Sequence, residues 1–272
     1  MLLPVLLIAG LLAAIAMAFT INVRTEILSR ANSVHNARAE RVADGLTRLA
    51  AWRLASGASQ DAAGRRGVAM HCRWSEDVSA SIAIQDQGGL VDLNAGPHEL
   101  FVKLFDGVGV KPGRSTEIAD ALVDFRDASS IANGGGEEPA AYPGQSFGPK
   151  NAPFQVVEEL DQLPGLDQAS YRKLLPYLTV HSLQPAPQPA LAPQGLRQLL
   201  SFPVDGQEQP PPGKNYGIDV IVSLKNGAIF RRKSLVTILR QPGRPYAIMA
   251  WTRGGDVGEL PIPLAPLAPC LI

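Results

Sequence analysis

An acidic, glycine-rich segment holds the residues whose types and spacing could do chemistry. Asp124, Asp127, Glu137 and Glu138 supply carboxylates, and Gly134-Gly135-Gly136 gives the backbone between them freedom to bend. Ca²⁺ takes about six to eight hard oxygen ligands and tolerates irregular geometry, so this composition suits it. The spacing is not that of an EF-hand loop. On these residues alone, a calcium site and a solvated acidic loop both remain open.

A second segment with potential chemistry is Val156–Val180. Its pattern predicts an amphipathic helix, a tight turn at Leu163-Pro164-Gly165-Leu166 and a second helix, which together form a helix-hairpin-helix-like unit. Such hairpins can bind a DNA phosphate, but here acids outnumber bases and would repel a phosphate chain. A structural hairpin is favoured, and a membrane-anchored DNA-binding protein is the alternative function. The acids are Glu158, Glu159, Asp161 and Asp167, and the bases are Arg172 and Lys173.

No catalytic motif occurs in the sequence. A Gly-x-Ser-x-Gly elbow, a P-loop, an HExxH pair and a Cys/His pair are all missing. His98 has no second His or Cys at a ligand spacing, so we expect no metal or catalytic role for it. Asn94, which precedes Pro97, is predicted to cap the following helix with its side chain. We therefore expect a protein that is not an enzyme.

The overall composition narrows the function further. The 272 residues carry 25 Lys and Arg against 25 Asp and Glu, and a zero net charge excludes a protein that coats nucleic acid by neutralising phosphates. Gly and Pro are abundant, at 26 and 23 residues, which predicts long loops on a folded frame. The two cysteines, Cys72 and Cys270, can form at most one bridge and exclude a zinc knuckle.

The amino-terminal segment has the length and composition of a membrane helix. Residues 1–23 contain no charge and could extend about 34 Å as a helix, enough for a hydrocarbon core of roughly 30 Å. Apolar residues continue at helical spacing, which predicts one helix from Leu2 to Ala55. All nearby arginines follow this segment, so the positive-inside rule would place the rest of the chain in the cytoplasm. We expect instead that the recorded start omits a short basic leader.

The remaining pattern predicts a small antiparallel sheet. Val78–Gln85 alternates apolar and small residues, and Tyr216–Leu224 and Ala228–Leu239 flank an Asn226-Gly227 hairpin turn. Pro245–Trp251 adds one more strand, whereas residues 57–76 are expected to be a loop. Three Pro-rich segments, Pro185–Pro193, Pro203–Gly213 and Pro261–Pro269, are predicted to be extended spacers outside the core.

Helical segments lie between these strands. Gly96–Leu104, Ser115–Arg126, Gln155–Leu160 and Gln168–Tyr177 have helix-forming composition, and Ser115-Thr116-Glu117 offers an N-cap. The predicted fold class is therefore α+β, with a long amino-terminal helix packed on a small antiparallel sheet and a large α-helical insertion. The expected parts are a transmembrane helix (1–23), the soluble half of the long helix (24–56), a β part (57–93 and 200–255), the inserted α-helical subdomain with its Pro-rich linker (94–199) and a Pro-rich tail (256–272).

Several motifs in one order resemble the minor pseudopilin K family of the type II secretion system. After the apolar helix come AERVADGLTRLAAWRL at 39–54, GGLVDLNAGPHEL at 88–100 and IADALVDFRDA at 118–128. These are followed by GGEEPAAY at 135–142, KNAPFQVVEELDQLPGL at 150–166 and YRKLLPYLTV at 171–180. The resemblance covers about residues 5 to 255.

The resemblance implies a non-enzymatic subunit at the tip of the periplasmic pseudopilus, anchored in the inner membrane by a single pass. It would assemble with the minor pseudopilins I and J and help to prime the fibre that exports folded proteins. Members of this family also bind calcium, and the matching positions here are Asp124, Asp127 and Glu137 or Glu138. This chain has Ser129 and Ser130 where further acids are usual in the family, which predicts that one calcium site is weak or lost.

A periplasmic globular part would place both cysteines where disulfides persist. A bond between Cys72 and Cys270 and a free Cys72 beside Trp74 are both consistent with the sequence. The family also carries a short basic leader that a prepilin peptidase removes. A leader missing from the recorded start would restore the cytoplasmic positive charge.

Overall fold

A computed structural model describes residues 2–57, 63–111, 113–133, 138–140, 142–202, 211, 213–255 and 268–270. Within the long helix, the side chains of residues 2–8, 14–15, 18, 21–22, 24–25 and 28 also lie outside the described set. Many side chains of the predicted membrane segment at 1–23 therefore lie outside the described set. The same is true of Glu137 among the predicted metal ligands.

A single helix, α1, forms the amino-terminal part of the fold and spans Leu2–Ala55, as predicted. Its 54 residues extend about 81 Å at 1.5 Å per residue. Among the described side chains of α1, those in its last third pack on the rest of the protein, through small and branched residues spaced three or four apart. Those fully buried side chains are Ala39, Ala43, Leu46 and Ala50. Among the described residues, no helix combines the length and the apolar character that crossing a membrane requires.

The globular part is built on a five-stranded antiparallel sheet. Its strands are, in spatial order, β1 (Met70–Ser75), β2 (Val78–Asp86), β5 (Asn215–Leu224), β6 (Ile229–Gln241) and β7 (Arg244–Arg253). Gly227 has a φ of 89°, which the tight turn between β5 and β6 requires, so the Asn226-Gly227 hairpin prediction is confirmed. The predicted loop at 57–76 is wrong in its second half, because the edge strand β1 forms there.

One face of this sheet buries the end of α1. In β5 every second side chain is buried, from Tyr216 to Leu224, and the residues between them are only partly covered. This period of two places one apolar row against the helix and leaves the other row on the far face of the sheet. The helix and the sheet thus share one hydrophobic core.

A helical unit is inserted between two neighbouring strands. The chain leaves the sheet at Asp86 and returns at Asn215, yet these strands pair along their whole length. The insertion has a separate core around Phe101, Phe105 and Phe125, so it packs as a second layer of its own. This arrangement confirms the predicted fold class. Its elements are β3 (Val91–Asp92), α2 (His98–Val108), α3 (Arg114–Arg126), α4 (Gln168–Leu174), β4 (Leu178–Thr179) and α5 (Gln194–Leu199).

Several local predictions for the insertion are wrong. Val157–Gln162 forms a 3₁₀ helix rather than an α-helix. Helix α3 begins at Arg114, with Gly113 at its N-cap, so Ser115 lies inside the first turn and is buried. The segment Pro185–Pro193 was predicted to lie outside the core, but Leu191 is 1% exposed because its backbone packs directly on Gly89.

The carboxyl end returns to the first strand of the sheet. Cys72 and Cys270 form a disulfide, which decides between the two alternatives that the sequence left open. Ala268–Cys270 lie beside β1, in a parallel bridge between Arg73 and Pro269. This end of the Pro-rich segment Pro261–Pro269 is therefore part of the sheet, while residues 256–267 lie outside the described set.

Candidate metal centre

Asp124 lies in the last turn of α3, with only 9% of its surface exposed. The neighbouring Leu122 and Phe125 face the core of the insertion, and this anchors the turn that carries the carboxylate. Its Oδ1 accepts a hydrogen bond from the Asn133 backbone N–H at 2.8 Å. The loop that follows the helix therefore folds back over Asp124.

Asp127 is the C-cap residue of α3, and its side chain orders the start of this loop. Its Oδ1 accepts a hydrogen bond from the Ser129 N–H at 2.6 Å, which forms a side-chain turn. Bonding to the Ser129 side chain and backbone lowers the pKa of the Asp127 carboxyl. The side chain is only partly covered, so a ligand from solvent can reach the carboxylate.

Glu138 places a buried carboxylate in the same loop. Its backbone N–H donates to the Ser130 carbonyl at 3.1 Å, which fixes the return of the loop. Both of its carboxylate oxygens are buried and have no hydrogen-bond partner among the described residues. The hydroxyl of Tyr142, nearby in the chain, is buried and unpartnered in the same way. Buried polar atoms are normally satisfied, so these three oxygens need a ligand or a donor.

The electrostatics of the cluster also favour a cation. Burial raises the pKa of the Asp124 carboxyl, and the negative charges of Glu138, Asp127 and Asp120 raise it further. Burial likewise raises the pKa of Tyr142 to about 12, with Asp124 and Glu138 as the charged contributors. The mutual repulsion of these acids would disappear if a divalent cation bound between them.

The donor set fits calcium, although it is not arranged as a finished site. Carboxylate oxygens on a loop with glycines suit a hard cation with irregular coordination. Among the described residues, no group of three His, Cys, Asp or Glu side chains is already converged as a ligand set. Asp124, Asp127 and Glu138 are the predicted ligands that the structure describes, and Glu137 lies outside the described residues. The calcium site therefore remains a prediction, supported by the unpartnered Glu138 oxygens.

Sequence reasoning overlooked two members of this cluster. Asp120 lies one turn before Asp124 on α3, and its Oδ1 is 2.9 Å from Nε2 of His98 on α2. Tyr142 contributes its buried hydroxyl from the far side of the loop. Asp120 could have been predicted from the sequence, because residues four apart on a helix lie on the same face and Asp124 was already a candidate. Nothing in the sequence indicates that the hydroxyl of Tyr142 faces inward.

The predicted hairpin at Leu163–Leu166 packs into the insertion. Leu163 is buried in the core, and Gly165 has a φ of 83° that allows the tight reversal. The guanidinium of Arg114 lies against Gly165, where an added side chain would meet it at 3.0 Å. Asp167 accepts hydrogen bonds from the Ala169 and Ser170 N–H groups at 2.9 Å and caps α4. Leu163, Gly165 and Asp167 therefore each have a structural role in this hairpin.

Asn94 does not cap the helix that follows it, because Pro97 occupies the N-cap position of α2. Its amide instead pairs with the backbone of Phe154: Nδ2 donates to the carbonyl at 2.9 Å, and Oδ1 accepts from the N–H at 2.8 Å. The pairing joins segments 60 residues apart in the chain. The side chain thus ties the start of the insertion to its middle loop.

Asp92, two residues earlier, is fully buried and accepts hydrogen bonds from two turns. Its Oδ1 binds the N–H groups of Asn94 and Ala95, and its Oδ2 binds those of Ser182 and Leu183. A buried carboxylate is tolerated here because several backbone donors satisfy it. The motif VDLN therefore has a structural role in this chain.

Comparisons with known proteins agree with this architecture. A family model described as type II secretion system protein K matches residues 81–183. A protein K from Klebsiella pneumoniae is 37% identical over 84 residues, which are 30% of this chain and 26% of that protein. A protein K from Dickeya chrysanthemi is 30% identical over 154 residues, 46% of this chain and 43% of that protein. The aligned parts thus span less than half the length of these relatives.

A solved structure shares the fold. A chain in the crystal structure of the GspK-GspI-GspJ complex from the enterotoxigenic Escherichia coli type 2 secretion system aligns with a TM-score of 0.59. The alignment covers 86% of this chain and all of that chain, at 15% identity. The family resemblance predicted from the sequence motifs is confirmed by these matches.

Proposed function

We propose that this chain, whose residues 81–183 match type II secretion protein K, is a minor pseudopilin that acts at the tip of the secretion pseudopilus. Its work is assembly rather than catalysis: it joins the minor pseudopilins I and J and primes the fibre that supports export of folded proteins. The observation that carries the proposal is the long α1 packed on an antiparallel sheet that is interrupted by the helical unit matching protein K.

The protruding part of α1 supports a role in assembly. Ile27 and Val34 are 61% and 66% exposed, because nothing in the described chain packs on this stretch. Exposed apolar side chains along a helix mark a surface that meets lipid or other helices. We propose that residues 1–23 anchor the chain in the inner membrane by a single pass and that the globular part lies in the periplasm. The uncharged sequence of that segment supports the anchor.

We also propose that the acidic loop binds calcium through Asp124, Asp127 and Glu138, with Glu137 as a further ligand. The cation would neutralise the acids that raise the pKa of Asp124 and would give the buried oxygens of Glu138 a partner. Its effect is structural: it would hold the return of the loop against the end of α3.

The test is co-purification of the full chain, in detergent micelles, with the candidate partner pseudopilins I and J. A stable complex with both partners is expected, and it should weaken when a chelator removes calcium. The variant Glu138→Gln should behave in calcium as the unchanged protein does in chelator. Glu117→Gln is the matched control, since Glu117 is an exposed acid on α3 and lies outside the loop.

Each outcome bears on a separate proposal. A complex that is indifferent to chelator and to Glu138→Gln would keep the pseudopilin assignment and reject the calcium site. Failure to bind either partner, together with DNA binding that falls steeply with salt, would reject the assignment. That result would favour the helix-hairpin-helix alternative.

A further inference from the structure

Strand β1 forms one edge of the five-stranded sheet, and its outer side is partly occupied. In the antiparallel pairing with β2, Arg73 faces Ser79, and the polar backbone groups of Arg73 point away from β2. The Arg73 N–H donates to the Ala268 carbonyl at 2.7 Å, and the Cys270 N–H donates to the Arg73 carbonyl at 3.1 Å. The segment Ala268–Cys270 therefore adds to β1 as a short parallel strand.

The disulfide holds this short strand in register. The Cα atoms of Cys72 and Cys270 are 4.7 Å apart, one residue from the bridge between Arg73 and Pro269. Cys72 is 7% exposed and belongs to the core beneath the sheet, against which Cys270 also packs. Two backbone hydrogen bonds would give little net stability alone, so the covalent bond makes the addition persistent.

Two large apolar side chains lie exposed on this edge strand. Met70 and Trp74 flank Cys72 on the same face of β1 and are 44% and 49% exposed. An unpaired edge beside exposed apolar residues is a template for another chain.

We propose that the β1 edge is a strand-addition site for an extended segment of the sequence Ala-Pro-Cys, filled in this chain by its own residues 268–270. The same site accepts that segment from a second copy of the chain when the intramolecular bond is exchanged. The edge and the segment already pair within one chain, through two backbone hydrogen bonds and the disulfide. If two copies exchange this segment, each of these contacts forms again between the chains. The product is a pair of chains linked by Cys72 of one copy and Cys270 of the other.

The covalent step is thiol–disulfide exchange between two copies, started by a small-molecule thiol such as reduced glutathione. The glutathione thiolate attacks Cys72 in the Cys72–Cys270 bond of the first copy, so a mixed disulfide forms on Cys72 and Cys270 leaves as a thiolate. This Cys270 thiolate attacks Cys72 of the second copy, and the Cys270 of the second copy leaves as a thiolate. That thiolate attacks the mixed disulfide on the first copy and releases the glutathione thiolate. Two disulfides break and two form, so no oxidant is consumed, whereas in single-cysteine variants oxidised glutathione accepts the two electrons.

The test uses two full-length variants that cannot close the bond within one chain. Cys72→Ser keeps the segment and its thiol, while Cys270→Ser keeps the edge and its thiol. The variants are mixed in detergent with a glutathione redox buffer, and linked peptides are identified by mass spectrometry. We expect a heterodimer joined between Cys72 and Cys270 that exceeds both symmetric dimers at least tenfold. Linkage in statistical proportions would overturn the proposal.

Hydrogen exchange gives a readout that does not depend on trapping a dimer. In Cys270→Ser, the amide of Arg73 should exchange at least tenfold faster than in the unchanged protein, because its acceptor on Ala268 is no longer held. The amide of Val220, in the middle of β5, should keep its protection and so reports that the sheet remains folded. Unchanged protection at Arg73 in a folded variant would overturn the proposal as well.

Discussion

Arg232 on β6 donates a hydrogen bond from Nε to Oδ1 of Asp44 on α1, at 2.7 Å. Its Nη2 reaches Glu40, one turn earlier on the helix, at 2.8 Å. The guanidinium also lies 5.0 Å from the ring centre of Trp251 and 4.9 Å from that of Phe230. One largely buried side chain thus links the long helix to the sheet through two charges and two aromatic faces.

Replacement of Arg232 by Met should loosen α1 from the sheet. We expect the free energy of unfolding in urea to fall by about 2–3 kcal/mol, less than the roughly 3–5 kcal/mol of a fully buried broken pair, because Glu40 is half exposed. Arg231→Met is the matched control. It breaks the pair with Asp219 on the open face, and a loss of about 1 kcal/mol or less is expected. Equal losses would show that Arg232 has no special part in holding the helix.

The ion pair between Arg65 and Asp86 joins the segment before β1 to the end of β2, and each side chain is 1% exposed. Arg65→Met should cost about 3–5 kcal/mol, since it leaves a buried carboxylate without its counter-charge. The double variant Arg65→Met with Asp86→Asn should recover part of this loss. A double-mutant cycle by thermal or urea unfolding measures the coupling between Arg65 and Asp86. Losses that simply add would contradict the predicted coupling.

Stability of the calcium-free protein should depend on pH through Asp124. Its pKa is raised in the folded state, so between the ordinary value of 3.8 and that raised value the folded chain holds more protons than the unfolded chain. Stability must therefore fall as the pH rises through this window. Asp124→Asn should flatten the profile and be more stable than the unchanged protein at neutral pH without calcium. Thermal melts from pH 3 to 7 test this, and an identical slope in the variant would contradict it.

Removal of the Tyr142 hydroxyl should not destabilise the calcium-free protein. The oxygen is buried and has no hydrogen-bond partner among the described residues, so Tyr142→Phe deletes an unsatisfied group and leaves the ring packed in place. We expect a melting temperature equal to or above that of the unchanged protein in chelator. A drop of several degrees would show that the hydroxyl has a partner in solution.

Asn94 should matter for stability in proportion to its two hydrogen bonds with Phe154. Asn94→Ala should lower the free energy of unfolding by about 2 kcal/mol, since it also leaves both backbone groups unsatisfied. Asn94→Asp keeps the acceptor but loses the donor, so its free energy of unfolding should lie between those of the unchanged protein and Asn94→Ala. If Asn94→Ala were neutral, water would have to replace both bonds.

Much of this fold follows from local pattern in the sequence. The spacing of Ala39, Ala43 and Leu46 determines which face of α1 is buried, and the alternation in β5 determines which face of the sheet receives it. Asn226-Gly227 determines one hairpin. The order of short motifs was specific enough to indicate the protein K family and the helical insertion. The signals in α1, in β5 and at the hairpin each depend on residues within about ten positions of one another, where periodicity is reliable.

Contacts between distant residues were decided only by the tertiary structure. Asn94 had the right position to cap a helix, but the loop at Phe154, 60 residues away, offered two hydrogen bonds instead. Strand β1 was hidden in a segment without clear periodicity, because only Cys72 of its six residues is buried and its outer edge pairs with the distant tail. Whether Cys72 meets Cys270 depends on where the chain places two positions 198 residues apart. Local sequence specifies conformation, whereas pairing across such distances depends on how whole elements pack.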